Sequence, residues 1–128
     1  LAARWRAARL PLAIAGAAAV AALASAASVQ VGVWRDTISL FERAIAVTDG
    51  NYLAHHRLAA TYRARGDTVA AEQHYRRALR INPHWAAPHL EYGSMLQERG
   101  DYADAVTYLE RGLRIDPRHV RARKLFGL

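Results

Sequence analysis

The chain has 128 residues, 18 lysines and arginines against 11 aspartates and glutamates, and 52% apolar residues with few large aromatics. That length allows one domain with an appendage, at roughly 100–200 residues per domain. The lack of cysteine excludes disulfides, thiolate metal sites and cysteine nucleophiles, and an alanine-rich composition favours helices because alanine loses no side-chain entropy on helix formation.

The first segment, residues 1–34, joins a basic flank to an apolar helix. Arg4, Arg6 and Arg9 precede the stretch from residue 10 to residue 34, which carries no charge. A helix of that length rises about 36–38 Å, enough to cross a hydrocarbon core of about 30 Å with some tilt. Trp5 and Trp34 bracket it as interfacial aromatics do. Arg35 and Arg43 after it are offset by Asp36 and Glu42, so the charge asymmetry places the N-terminal side in the cytoplasm and residues 35–128 in the periplasm or outside the cell. Two other readings stand beside the membrane anchor. Ala24-Ser25-Ala26 fits a small-residue cleavage site, which would make the stretch a signal peptide and the remainder a secreted or periplasmic module. Alanine is also only weakly hydrophobic, so a soluble packing helix is the third reading.

From Arg35 onward the apolar residues recur at helical spacing in blocks of about a dozen, each closed by a turn signal. Residues 62–83, YRARGDTVAAEQHYRRALRINP, align without a gap on residues 96–117, LQERGDYADAVTYLERGLRIDP. Gly66-Asp67 and Gly100-Asp101 each end one helix on a residue that tolerates positive φ and open the next on a side chain suited to capping amide groups. Asn82-Pro83 and Asp116-Pro117 close the second helices, because proline holds the preceding residue extended. Pro88 falls in a first helical turn, where its missing N–H goes unneeded.

Two helices per thirty-four residues, with small and large positions in fixed order, resemble the tetratricopeptide repeat. The pattern reads Leu58, Ala59, Tyr62, Gly66, Ala71, Tyr75, Ala78, Pro83 in one unit and Tyr92, Gly93, Leu96, Gly100, Ala105, Leu109, Gly112, Pro117 in the next. His55 and His89 stand where the family often has tryptophan. The resemblance implies an all-α fold, a tetratricopeptide helical-hairpin solenoid. Repeats at 52–85 and 86–119 are flanked by a half-repeat at 35–51, where Phe41, Ala44 and Ile45 match Tyr75, Ala78 and Leu79. A partial repeat at 120–128 follows, where Phe126-Gly127 matches Tyr92-Gly93. Stacked repeats bury a core only through their neighbours, so further units in a longer parent chain are expected partners. The junction of the apolar stretch with "VGVWRDTISLFERAIAVTDGN" is similar, more weakly, to the C-terminal tail of bacterial membrane proteins related to protein O-mannosyltransferases. No residue here matches the catalytic acids of that group.

The resemblance also implies a function: binding a protein or peptide in the concave groove lined by first helices. Family groove positions fall on Leu53, His56, Ala60, Arg63 and Ala64 in one unit, and on Ala87, Leu90, Ser94, Gln97 and Glu98 in the next. The lysines and asparagines with which chaperone-binding members clamp a terminal carboxylate are absent; His56 and Ala60 take such places. The expected reading is a membrane-anchored scaffold, with a non-catalytic tail of a membrane glycosyltransferase as the alternative.

Neither an active site, a cofactor site nor a metal site is expected from the motifs. His84 and His89 are five apart rather than the four that would stack two ligands, and no glycine-rich phosphate loop occurs. Arg76, Arg77 and Arg80, echoed by Arg111 and Arg114, read as a solvated outer surface, with an anionic lipid or a nucleic acid as the other reading. The surplus of fifteen basic over eleven acidic residues from Arg35 onward is interleaved and does not argue for nucleic acid.

Overall fold

The computed structural model describes residues 2–118, with side chains described from residue 14 onward. Five α-helices follow in order: α1 Ala2–Val47, α2 Tyr52–Arg65, α3 Thr68–Ile81, α4 Ala86–Arg99 and α5 Tyr102–Ile115. No strand occurs among the described residues. The backbone divides into two compact units, residues 1–36 and 37–128. The expected partial repeat at 120–128 and the side chains of the basic flank with Trp5 lie outside the described residues.

In the first unit every described side chain from Ile14 to Val33 is exposed. Helix α1 is long and apolar enough to cross a membrane by length and composition, from Ile14 to Val47.

In the second unit α2 packs on α3 and α4 on α5 as helix hairpins, and α3 against α4 joins them. The turn chemistry explains the sharp reversals. Gly66 and Gly100 sit at φ +87° and +94°, a region open to residues without a Cβ. At each turn two amides fold back on the helix just ended: Asp67 N–H to the Tyr62 carbonyl and Gly66 N–H to that of Arg63, then Asp101 to Leu96 and Gly100 to Gln97. Asp67 caps α3 by accepting from the Ala70 amide at 3.1 Å. Asp101, expected to cap α5 in the same way, makes no such bond; its carboxylate is taken by the Arg99 guanidinium instead. Asn82 and Asp116 end their helices in extended conformation before proline.

The core alternates small and large side chains. Ala59, Ala71 and Ala105 let helices approach, while Tyr75, Tyr92, Met95 and Leu96 fill the space between hairpins. The Tyr75 and Tyr92 rings stack across the α3–α4 seam with centroids 5.8 Å apart. At Gly93 the α4–α5 approach is so close that a Cβ would stand 2.7 Å from Leu109 Cγ. Ile38 is buried, and Phe41, Ala44 and Ile45 at the end of α1 are half-buried, against the near-complete burial of Tyr75, Ala78 and Leu79.

Candidate functional site

Helices α2 and α4 are the first helices of successive hairpins, so residues 34 positions apart lie at matching heights on adjacent helices. Two polar pairs join them, and both are separated by 35 residues. Glu91 receives the His56 Nε2 proton at 3.0 Å, and Arg63 Nη2 reaches Glu98 Oε1 at 2.6 Å. Glu91 and Glu98 are seven residues apart, as are His56 and Arg63, so the pairs are two rungs two turns apart on one face.

The inner rung is the more enclosed. Glu91 Oε2 also accepts from the Tyr75 hydroxyl at 3.1 Å, and Arg63 Nη1 donates to the Glu91 carbonyl at 3.2 Å. Burial alone would push the Glu91 carboxyl up. The hydrogen bonds from His56 and Tyr75 and the nearby Arg63 charge outweigh it and hold the group below the usual carboxylate range. Tyr75, enclosed by apolar neighbours and facing that carboxylate, is pushed well above an ordinary phenol. The outer rung, with Glu98 exposed, is open to water.

At the N-terminal end of the same face three rings meet. Trp85 stands edge-on to His56 with centroids 4.5 Å apart and to Tyr52 at 5.4 Å. The face therefore runs from an aromatic cluster to an ion pair along the length of α2 and α4.

The ten expected groove residues do not all lie on it as free surface. Leu53, Ala64 and Glu98 are exposed, and Ala60, Arg63, Ala87, Ser94 and Gln97 are half-buried. His56 is buried beneath Trp85 and committed to Glu91. Leu90 is 4% exposed, packed with Leu109 in the α4–α5 core. Its burial has a local cause: Gly112 on α5 lacks a side chain, and Leu90 occupies that space so fully that a Cβ there would meet Leu90 Cδ2 at 2.4 Å. Leu90 is a core residue in this structure, not groove surface.

Residues that sequence reasoning missed include Glu91, Tyr52 and Trp85. The signal for the first lay in the spacing, a base at i and an acid at i+35, repeated at Arg63 and Glu98. A second network ties α3 to α4: Glu72 binds Arg76 and Arg99, each at 2.7 Å, and accepts from the Tyr92 hydroxyl at 2.9 Å. Burial pushes the Tyr92 phenol up to about 12. The equivalent histidines differ in their use. His89 Nε2–H donates to the Pro83 carbonyl at 2.9 Å, whereas His55 Nδ1 lies 3.0 Å from His74 Nδ1. Among the described residues no group of three or more metal-ligating side chains converges.

Comparison with known proteins follows the same outline. Tetratricopeptide repeat family models match residues 52–84 and 86–128, together more than half of the chain. No curated protein sequence matches. Among solved structures, MamA is similar at a TM-score of 0.64 and 21% identity, over 71% of this chain and 53% of that one. The Yersinia enterocolitica type III secretion chaperone SycD, solved with a peptide of the translocator YopD, is similar at a TM-score of 0.65 and 16% identity, over 77% of this chain and 75% of that one. The chain spans about half the length of the MamA structures it matches. At these identities the likeness is one of fold.

Proposed function

We infer function from the premise that residues 52–128 of this chain belong to the tetratricopeptide-repeat family, and propose that it is a scaffold that binds a protein or peptide along α2 and α4. The carrying observation is the face itself: an aromatic cluster of Tyr52, Trp85 and His56 at one end, the Arg63–Glu98 pair at the other, and exposed or half-buried Leu53, Ala60, Ala87, Ser94 and Gln97 between. Small side chains along the middle leave room for an extended chain, and the rings offer it a flat apolar contact. SycD, a similar fold, was solved with a bound peptide, which supports this reading of the fold's use.

A random-peptide display screen against the full chain in maltoside micelles tests it. Peptides selected by the wild-type protein should bind a Leu53→Asp, Ser94→Asp variant at least about tenfold more weakly, and an Arg77→Ala variant on the outer face unchanged. Selected peptides that bind all three proteins equally would place recognition elsewhere.

We further propose that α1 anchors the scaffold in a membrane, with the repeats on the non-cytoplasmic side. Its length and apolar composition from Ile14 to Val47 support a membrane-crossing helix. N-terminal sequencing of protein expressed from the full gene distinguishes the anchor from a cleaved signal: a mature start near Ala27 would reject the anchor. The reading as the tail of a multi-span membrane glycosyltransferase rests on the junction after the apolar stretch, and sequencing the parent gene for further spans with an acidic loop tests it.

A further inference from the structure

Helices α3 and α5 are the second helices of their hairpins, away from the face described above. A cleft of about 530 Å³ opens between them, floored by Leu79 and Pro83. That volume falls within the range of small-molecule sites. Its polar lining is Arg76, Arg80 and Arg111, with Asp104, Tyr108 and His89. Arg76 is neutralised by Glu72 on its own helix, so Arg80 and Arg111 against Asp104 leave a surplus of one positive charge.

The arginines are not equivalent. Arg76 is held in place: its Nη2 binds Glu72 at 2.7 Å and its Nε donates to the Tyr92 hydroxyl at 3.0 Å, leaving Nη1 free of both bonds. Arg80 stands one turn further along α3, where two like charges repel. Neither Arg80 nor Arg111 has an ion pair or hydrogen bond among the described residues. His89, 4% exposed, spends its Nε2–H on the Pro83 carbonyl, and its Nδ1 is buried without a partner. The cleft thus gathers two guanidinium groups without a hydrogen-bonded partner beside a third that is held in place.

We propose that this cleft binds a phosphate monoester, the dianion held by Arg80 and Arg111 with Nη1 of Arg76. Planar guanidinium groups pair with phosphate oxygens through two parallel hydrogen bonds, which a halide cannot reproduce. Asp104 sets the orientation by repelling the phosphate from its side of the cleft and accepting a hydroxyl of the ligand body. The site is independent of the peptide-binding face.

The test titrates inorganic phosphate into the isotopically labelled full chain in maltoside micelles, followed by amide chemical shifts, with sodium chloride of matched ionic strength as the screening control. Wild type and Arg77→Gln should show the same saturable shifts, centred on α3 and α5. An Arg80→Gln, Arg111→Gln variant, whose helicity is checked by circular dichroism, should bind about tenfold more weakly. Equal affinity in the double variant, shifts reproduced by chloride, or no saturable shift overturns the proposal. Nanodiscs with and without phosphatidic acid identify the source. Loss of the phosphate titration in the acidic discs assigns the site to a lipid headgroup, and its persistence assigns it to a soluble monoester.

Discussion

Glu91 is the acceptor for two buried side chains. The Tyr75 side chain is fully enclosed and His56 nearly so, and both direct a proton at the same carboxylate. Removing it takes away the acceptor of both donors. Glu91→Ala should therefore destabilise the fold by about 1–3 kcal/mol, while Glu98→Ala, which breaks an exposed pair, should cost under about 1 kcal/mol; thermal unfolding by circular dichroism measures both. The His55–His74 pair sets a pH dependence. With Nδ1 atoms 3.0 Å apart, one ring must donate and the other accept, so a proton added to the accepting Nδ1 destroys the bond. Burial, then mutual repulsion and the Arg77 charge, hold His74 down at about 4, and burial with Arg77 also lowers His55. Depressed native values mean that the unfolded chain binds more protons below pH 6.5. Stability is complete above about pH 6.5 and is lost as pH falls toward 4. The unfolding midpoint should drop across that window, and His74→Phe, which retains a ring beside Tyr62, should flatten the drop.

At the scale of the element, the two Gly-Asp turns share a sequence and a backbone but differ in what the aspartate does. Asp67 caps α3; Asp101 is drawn to Arg99, which also reaches back to Glu72. Replacing Asp67 with alanine should cost about 1 kcal/mol, the usual value of an N-cap. Asp101→Ala should cost only a few tenths, since Arg99 keeps its bond to Glu72. Equal losses in paired unfolding curves would contradict the difference in capping. The identical dipeptides foretold both turns correctly. They could not foretell the capping, because Arg65 and Arg99 are also identical in sequence, and only Arg99 has Glu72 of the preceding hairpin within reach.

For the whole molecule, the proposed anchor is a long apolar helix that precedes, in sequence, a repeat domain whose core depends on neighbouring hairpins. Two arginines introduced by Ala22→Arg and Ala26→Arg would each cost about 2.5–3.5 kcal/mol at the centre of a span. Alkaline extraction of membranes should then release the variant and retain the wild type; retention of both would reject the anchor.

Period, turn residues and the order of small and large side chains are local properties, and the sequence by itself determined the helices, their hairpins and the alternating core from them. Leu90 and Glu91 are adjacent in sequence; polarity favours Leu90 for the core, but nothing local says which neighbouring helix each one meets. That depended on the missing side chain at Gly112, which made space for Leu90, and on the one-residue offset between α2 and α4, which set Glu91 against His56. The tertiary structure decided these because contacts between helices depend on the spacing and rotation of two elements at once. Neither quantity is written in either helix alone.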